Sequence, residues 1–394
     1  MHSDGARTCA GDLRVLHVLG EFTYGTASAV AEIVPQLEQQ GATVSVLILS
    51  DVRSDVSSAR QRLDETGVSF REISITRIRR WMHPKVLFRI GDIVRIARRL
   101  ADAEADIIHC HGSLSLAAIL LGRNRARVVS TFHGMTNRRS VSQRGYRAAM
   151  GLADTVIVLK GQDLRAIQRF PWSARVYLAR NGVNVPRWQQ KLATSEGLRG
   201  VLEIPRDAFV VGLLGRLSKE KGIAPFLLAA GRSGWLVRAN AHVVVAGDGP
   251  EGERLKRLIE QQALAERVHF LGYRNDLEDV YRTLDALAVP SDTESQPMVV
   301  LEAMACRVPV VAFSVGALPE MLEEGAGIPV PSGDYCALID ALDRLRVSSA
   351  MQSGLVETAY RQVSEKYAAC TVARDLMQNV YLPLISHQRG SNAG

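Results

Sequence analysis

Short apolar segments alternate with longer segments of helical periodicity along almost the whole chain. In the first half, continuous apolar runs predict buried strands over residues 13–20, 43–49, 106–111, 127–133 and 154–160. Helix-sized segments separate them, such as 26–40, 85–103 and 143–151. Continuous apolar strands alternating with helices indicate a parallel sheet covered by helices on both faces.

The same pattern restarts after a turn-rich stretch over residues 181–206. The second series predicts strands over 209–215, 242–247, 267–272, 286–290 and 308–313, and helices near 221–231, 251–264, 276–283, 298–306 and 334–347. Pro186 and Pro205 mark the intervening stretch as a linker. The sequence therefore predicts an α/β protein with two doubly wound domains, over residues 1–185 and 186–371.

Length and composition agree with two soluble cores. A chain of 394 residues exceeds what one hydrophobic core usually supports, and 47% hydrophobic with 23% charged residues argues against disorder. The five scattered cysteines form no CxxC pair, so neither a disulfide framework nor a zinc cluster is indicated. The first twelve residues lack an apolar core, and no apolar run approaches ~20 residues, so we expect a cytoplasmic protein without a secretory signal.

Charge is unevenly distributed. Residues 1–190 hold 27 Lys+Arg against 16 Asp+Glu, whereas residues 191–394 hold 21 against 25. The segment 77–99 carries eight of the basic residues and one acid. This segment is either a solvated helix face or a surface for an anionic membrane, and the sequence leaves both open. No zinc-finger or helix-turn-helix pattern accompanies it, so we expect no nucleic-acid partner.

Two segments carry candidate chemistry at the ends of predicted strands. GRLSKEKG (215–222) places Arg216 and Lys221 where a strand enters a helix, which suits an anionic diphosphate, although a solvated basic loop is an equal alternative. PSDTESQPMVVLEAMA (290–305) places Glu294 before a helix and Glu302 within it. The first N–H groups of that helix, at Met298 and Val299, could bind phosphate oxygens. Two glutamates on a helix are otherwise more often a solvated face.

A set of motifs in register resembles one family. GRLSKEKG, AGDGP (246–250), VHFLGY (268–273) and ESQPMVVLEAMA resemble the glycosyltransferase family 4 group of retaining GT-B enzymes, as do TFHG (131–134) and DIIHCHG (106–112). The resemblance covers roughly residues 13–380. It implies two Rossmann-like domains with a cleft between them, an acceptor-side first domain and a nucleotide-sugar-binding second domain. It also implies that a terminal helix over about 372–394 returns to the first domain.

The resemblance also assigns roles to residues. Arg216 and Lys221 match the pair that grips the diphosphate, Glu294 matches a glutamate beside the donor sugar, and His133 matches a histidine that reaches that sugar. These four are the expected catalytic residues. The other expected donor-binding positions are Gly25 in a first-domain glycine loop, Leu271, Gly272 and Tyr273 beside the nucleobase, Gln296, Met298 and Val299 near the sugar and phosphates, and the ribose-binding Glu302.

The implied activity is transfer of a sugar from a nucleotide-diphosphate donor to a glycan or lipid-linked acceptor with retention of configuration. A UDP-sugar is the favoured donor and a GDP-sugar the alternative, within cell-envelope or exopolysaccharide biosynthesis. No metal or other cofactor is expected, and a peripheral location on the cytoplasmic membrane face would fit. The alternatives are a nucleotide-sugar epimerase of the same architecture and a non-catalytic nucleotide-sugar-binding subunit.

The chain departs from the family pattern at several positions. Gln296-Pro297 stands where an aromatic residue and a glycine are frequent, so a backbone N–H is missing at Pro297. Arg307 and Ala317 replace usual glycines. His109 and His111, two apart on a strand, could suggest a metal, but without a third ligand at useful spacing a structural or cleft-lining role is the preferred interpretation.

Overall fold

A seven-stranded parallel sheet organises the first half of the chain. In the computed structural model, which describes residues 13–20, 24–51, 57–75, 96–98, 100, 103–111, 126–133, 150–167 and 174–391, its strand order is β3-β2-β1-β4-β5-β6-β7. The strands are β1 Arg14–Leu19, β2 Thr43–Asp51, β3 Phe70–Ile75, β4 Ile107–His111, β5 Arg127–Phe132, β6 Thr155–Val158 and β7 Arg175–Leu178. Helices α1 Tyr24–Gln39, α2 Ser57–Glu65 and α3 Gly161–Ile167 belong with them. The basic segment 77–99 lies outside the described residues apart from 96–98.

A second, six-stranded parallel sheet has the order β10-β9-β8-β11-β12-β13. Its strands are β8 Phe209–Leu214, β9 Ala241–Ala246, β10 Val268–Gly272, β11 Ala286–Val289, β12 Val310–Phe313 and β13 Ile328–Val330. Its helices are α4 Val185–Thr194, α5 Ile223–Arg232, α6 Trp235–Arg238, α7 Gly252–Gln261, α8 Leu277–Thr283, α9 Met298–Ala305, α10 Leu318–Met321, α11 Tyr335–Val347 and α12 Ser349–Lys366, with 3₁₀ turns at Lys219–Lys221 and Glu323–Gly325.

The chain ends with helices that complete the first sheet's core. Helix α13 spans Ala369–Leu376, a π-helical turn spans Met377–Tyr381, and α14 spans Leu382–Ser391. Buried residues of α13 and the π-helical turn share one apolar cluster with α1 and β1. Contacts accordingly divide the chain into unit 1, residues 1–182 with 369–394, and unit 2, residues 183–368.

Both sheets are doubly wound, because the strand order reverses beside the first strand of each, between β1 and β4 and between β8 and β11. The predicted pair of doubly wound α/β domains is therefore confirmed. Strands β3, β7 and β13 were not predicted. Each is an edge strand, and the exposed positions in β7 and β13 interrupt the apolar run that identifies a buried strand.

No helix within the described ranges is both long and apolar enough to cross a bilayer.

The turn after α9 holds an arginine in a conformation that favours glycine. Arg307 has φ 59°, in the left-handed region, which agrees with the glycine that the family resemblance implies at this position. Its guanidinium carbon lies 3.9 Å from the centroid of the Tyr360 ring, and one of its nitrogens lies 3.3 Å from Glu357. Stacking on Tyr360 therefore offsets part of the backbone cost.

We expect Arg307→Ala to lower the free energy of unfolding of unit 2 by about 1 kcal/mol, because it loses the stacking and keeps the left-handed backbone. Arg307→Gly also loses the stacking, but it removes the cost of the left-handed backbone. Its free energy of unfolding should therefore stay within about 0.5 kcal/mol of the parent value. Urea-dependent hydrogen exchange in peptides from α9 and β12 measures both changes. Equal destabilisation by alanine and glycine would contradict this balance.

Candidate active site

The turn that follows β8 brings a lysine to the carboxyl edge of the unit 2 sheet. The chain enters α5 through the 3₁₀ turn that ends at Lys221, and Gly222 follows with φ 66°. A Cβ at Gly222 would lie 1.9 Å from the backbone oxygen of Pro290, just after β11. Since no side chain fits there, glycine allows the turn to pack against the loop that carries Glu294.

Glu294 and Lys221 form an ion pair. The Lys221 ammonium lies 2.7 Å from Glu294 Oε1, and the Ser291 hydroxyl donates to the same oxygen at 2.8 Å. Glu294 is only 8% exposed, so these two donors replace water as hydrogen-bond partners of its Oε1 atom. Arg216, two residues after β8, is exposed at the same edge.

A second glycine supports the loop from the other side. Gly316 has φ 59°, and a Cβ there would lie 1.7 Å from the Glu294 backbone oxygen. The next residue, Ala317, donates its N–H to the Ser295 carbonyl at 3.1 Å. Its own φ of −89° is ordinary, so alanine in place of the usual second glycine carries no backbone strain.

Glu302 lies within α9 and is almost completely buried, at 2% exposure. The Tyr281 hydroxyl of α8 donates to Glu302 Oε2 at 2.8 Å. Tyr281 is itself fixed by an edge-to-face contact with the buried Trp188, with ring centroids 5.5 Å apart. Sequence analysis did not identify Tyr281, because its link to Glu302 spans 21 residues and two helices.

Helix α9 begins at Met298, as predicted. Pro297 occupies its N-cap position with extended backbone and makes no side-chain cap. The buried Gln296 and Met298 and the half-buried Val299 surround this helix start. The backbone N–H groups of Met298 and Val299 belong to the first turn, where helices lack internal acceptors for their donors.

The strand end expected beside the nucleobase is irregular. The pairing of β10 with β9 shifts between Phe270 and Gly272, which places Leu271 at the irregularity. Gly272 accepts a hydrogen bond from the Gly247 N–H at 2.7 Å, and Tyr273 is 40% exposed.

Unit 1 contains the two other predicted positions. Gly25 was expected in a loop, but the structure places it in the first turn of α1, exposed, with nothing within 4 Å of the position of a Cβ. The helix begins at Tyr24, one residue before it, and residues 21–23 lie outside the described part of the chain. His133 directly follows β5 and is partly buried.

His133 is one of four clustered histidines. Its Nε2 lies 3.0 Å from Nδ1 of His111, and Nε2 of His111 lies 3.2 Å from Nδ1 of His17. His109 stacks on His111, with ring centroids 4.4 Å apart. Parallel pairing explains this clustering, since His17 in β1 is the register partner of His109 in β4.

The cluster is neutral at neutral pH. Burial lowers the pKa of His17 and the pKa of His133 to about 4. Burial, followed by the neighbouring histidines, holds the pKa of His109 and the pKa of His111 well below the ordinary value. The four rings therefore act as uncharged donors and acceptors.

Three rings of the cluster could hold a metal ion, since ring nitrogens of His17, His109 and His111 lie within 4.8 Å of one another. His17 is a third candidate ligand, which the spacing of His109 and His111 along the chain does not reveal. Both nitrogens of His109 are engaged, one 2.6 Å from the Thr131 hydroxyl and the other 2.7 Å from the Tyr381 hydroxyl, so a metal ion bound there would displace one of these hydrogen bonds.

A cavity of about 40 Å³ adjoins the histidines within unit 1. Thr131, Arg180 and Asn181 add polar groups to its wall, and apolar residues from α1, α13, β6 with the residue after it, and the segment after β7 form the rest. Each water needs ~10–15 Å³ of space measured in this way, so the cavity has room for about three.

Two family models match the chain. Residues 24–187 match the model described as Glycosyltransferase Family 4, and residues 195–362 match the one described as Glycosyl transferases group 1. The chain is 30% identical over 353 residues to a D-inositol 3-phosphate glycosyltransferase of Mycolicibacterium smegmatis, a match that covers 82% of this chain and 74% of that protein. It is 27% identical to the lipopolysaccharide core mannosyltransferase LpsB of Rhizobium meliloti, over 74% of this chain and 84% of that protein.

The fold agrees with these matches. The crystal structure of the Anabaena protein HepE in complex with UDP-glucose is similar, with a TM-score of 0.74 and 19% identity over 93% of this chain and 99% of that one. The chain belongs to the group 1 glycosyltransferases of family 4 and is a glycosyltransferase with the two Rossmann-like domains of the GT-B fold.

On the ribose-binding role that the resemblance implies for Glu302, we expect Tyr281→Phe to weaken UDP binding about tenfold, because the buried Glu302 carboxylate loses a donor that orients it. Isothermal titration with UDP measures the change. Tyr360→Phe removes a hydroxyl elsewhere in unit 2 and should leave affinity unchanged. In the double variant Tyr281→Phe with Glu302→Gln, the loss of UDP affinity should be less than the product of the two single losses, since both substitutions act on one contact. Multiplicative effects would show that Tyr281 acts independently of Glu302.

Proposed function

We propose that this glycosyltransferase transfers a sugar from a UDP-sugar to a lipid-linked or polysaccharide acceptor with retention of configuration. The observation that carries the donor side of the proposal is the Lys221–Glu294 pair at the carboxyl edge of the unit 2 sheet, beside the start of α9. In doubly wound folds, ligands bind outside the carboxyl ends of the strands near the reversal of strand order. Lys221, Glu294 and α9 all follow strands that adjoin this reversal, β8 and β11.

Two comparisons support the choice of substrates. HepE, which shares the fold, was crystallised with UDP-glucose, which favours a UDP-sugar over a GDP-sugar. LpsB, by its name, acts in lipopolysaccharide core synthesis, which favours an envelope glycan as acceptor.

The paired lysine suits a leaving diphosphate. An ammonium group has three donors, and Lys221 uses one on Glu294, so others can contact phosphate oxygens. Together with Arg216 and the first N–H groups of α9, it would stabilise charge that grows on the diphosphate as the bond to the sugar breaks. We propose that these groups act without a metal ion.

The proposed reaction breaks one bond at the anomeric carbon of the sugar and forms another on the same face. The bond between the anomeric carbon and the β-phosphate oxygen breaks, and its electron pair stays on the diphosphate. The acceptor oxygen then bonds to the anomeric carbon on the same face, and its proton passes to the phosphate oxygen. The products are UDP and a glycoside of unchanged anomeric configuration.

We expect Arg216→Ala and Lys221→Ala each to lower kcat by about 10²–10³-fold at saturating donor, since each removes a group that stabilises developing charge. Lys219→Ala is the matched control, because Lys219 is an exposed cation in the same 3₁₀ turn, and its rate should match the parent. Release of UDP and formation of glycoside are measured together.

Wild-type rates in both alanine variants would remove the proposed role of the two cations. Release of UDP that needs no acceptor, with an epimerised sugar as product, would favour the epimerase alternative. Loss of activity in EDTA that Mg²⁺ or Mn²⁺ restores would contradict neutralisation of the diphosphate by Arg216 and Lys221.

We further propose that the basic segment 77–99 binds anionic membranes. The support is its charge alone, eight basic residues against one acid, in a half of the chain with excess positive charge. Each basic residue near such a surface contributes about 1 kcal/mol, and salt screens the attraction.

Vesicles of anionic phospholipid should sediment the protein at low salt, while vesicles of neutral phospholipid should not. Arg79→Glu with Arg80→Glu should reduce this binding, whereas the same double reversal at the exposed Arg257 and Arg361 of unit 2 should not. The variant with Arg79→Glu and Arg80→Glu should keep its activity on a soluble acceptor. Failure of anionic vesicles to bind the parent at low salt would contradict the membrane proposal and leave the transferase activity unaffected.

A further inference from the structure

Three imidazole rings of unit 1 lie together on one face of its sheet. Strands β1 and β4 pair in parallel, and His17 is the register partner of His109. His111 lies two residues after His109 on the same strand, so its side chain points to the same face. Ring nitrogens of the three residues lie within 4.8 Å of one another, and no other three His, Cys, Asp or Glu side chains in the described ranges are placed in this way.

Two of these nitrogens already have the separation of two ligands on one metal ion. Nδ1 of His17 lies 3.2 Å from Nε2 of His111. On a tetrahedral zinc ion with Zn–N bonds of ~2.0–2.1 Å, two nitrogens lie ~3.3 Å apart. Two bonds to one ion can therefore replace the contact between these rings with little change in the distance between the two atoms.

The second nitrogen of His17 has no hydrogen-bond partner in the described part of the chain. This atom, Nε2, is buried, and His17 as a whole is 1% exposed. A buried polar atom without a protein partner requires an explanation, such as an ordered water or an ion. His17 lines the cavity of about 40 Å³, so an ion with its bound water beside this ring would account for the atom.

The other two rings have the outer contacts that metal-binding histidines need. His111 contacts His133 through Nδ1 at 3.0 Å, which leaves its Nε2 for a metal ion. His109 contacts the Tyr381 hydroxyl through Nδ1 at 2.7 Å and the Thr131 hydroxyl through Nε2 at 2.6 Å. Thr131 lines the cavity, so an ion on that side would replace its hydroxyl and leave Tyr381 in contact with the ring. Metal-binding histidines almost always donate their other ring N–H to such a partner, which orients the ring.

The cavity has room for a fourth ligand. All three histidines line it, and it has space for about three waters. Three histidines and one water are the ligand set of an open zinc site, and imidazole suits Zn²⁺ better than Mg²⁺ or Ca²⁺, which prefer oxygen ligands. Arg180 also lies on the cavity wall, but it is exposed, so water screens its charge.

We propose that His17, His109 and His111 bind one Zn²⁺ ion in unit 1, with a water molecule in the cavity as the fourth ligand. The ion joins β1 to β4, the two strands at the reversal of strand order, and replaces the contact between His17 and His111. The proposal concerns unit 1 alone. It therefore does not depend on the proposed function or on the groups assigned to the diphosphate.

The first experiment measures the metal content of the protein. The full chain, without a histidine tag, is purified from cells grown with added zinc, and we expect one zinc ion per chain by mass spectrometry. Chelator-treated protein titrated with ZnCl₂ should regain one ion. Its Tm should then rise by about 5–10 °C at a free zinc concentration 100 times the Kd, whereas MgCl₂ should leave the Tm unchanged. A zinc content far below one ion per chain after both treatments would overturn the proposal.

Three glutamine variants and a matched control locate the ion. His17→Gln, His109→Gln and His111→Gln each remove one ligand, so each should lower zinc affinity by more than about 100-fold, the upper range for loss of an outer partner alone. His269→Gln is the control, because Nε2 of His269 lies 2.9 Å from Nδ1 of His242 in unit 2, a histidine pair without a third ligand among the described residues. This variant should bind zinc like the parent. Loss of zinc in His269→Gln, with binding kept in the other three, would overturn the assignment.

A measurement on the parent protein makes the test independent of how the variants fold. X-ray absorption at the zinc edge should show three imidazole nitrogens at about 2.0–2.1 Å and one further oxygen ligand. Fewer than three imidazoles, or a sulfur ligand, would place the ion elsewhere and overturn the proposal. If the same sample turns over no UDP-sugar, the proposed function fails, while the absorption spectrum still decides the zinc site.

Discussion

The ion pair between the part-buried Lys221 and the buried Glu294, at the carboxyl edge of unit 2, requires neighbouring segments to pack on the Glu294 loop with no side chain between them. Gly222 and Gly316 make this possible, because a methyl group at either would lie under 2 Å from a backbone oxygen of the Glu294 loop. If the turn that carries Lys221 moved away, the Glu294 carboxylate would lose the cation that offsets part of the cost of its burial. The groups proposed to bind the diphosphate and the sugar thus depend on backbone packing.

Unit 1 supports polar groups in its core by different means. Its central strands β1 and β4 and the residue after β5 contribute four histidines, and burial keeps them uncharged, so no counter-ion is required. Hydrogen bonds between rings and to hydroxyl groups engage both ring nitrogens of His109 and of His111. One unit therefore presents a charged ion pair, and the other presents neutral imidazole rings.

The sequence was informative wherever one local signal determined a feature. Continuous apolar runs predicted the inner strands. The segment ESQPMVVLEAMA, which follows one of these strands, predicted that α9 begins at Met298 and contains Glu302. Edge strands such as β7, with exposed positions, lack that signal.

The sequence alone did not predict contacts between residues that are far apart along the chain. The Lys221–Glu294 pair joins residues 73 apart, and the His17–His111 contact joins residues 94 apart. A histidine inside the apolar strand LRVLHVLG was the available signal for His17, because a polar residue there needs a buried partner. The site roles assigned by resemblance remain predictions.

The return of the chain to unit 1 has a consequence for biosynthesis. Residues 369–391 leave the ribosome after all of unit 2, yet Val372, Leu376 and Tyr381 belong to the core that contains α1. Unit 2 lies entirely between these segments, so its residues emerge earlier and can fold while the first-made domain still lacks part of its interior. The apolar face of α1 therefore stays partly uncovered until unit 2 has been translated, and exposed apolar surface of this kind favours aggregation of a nascent chain.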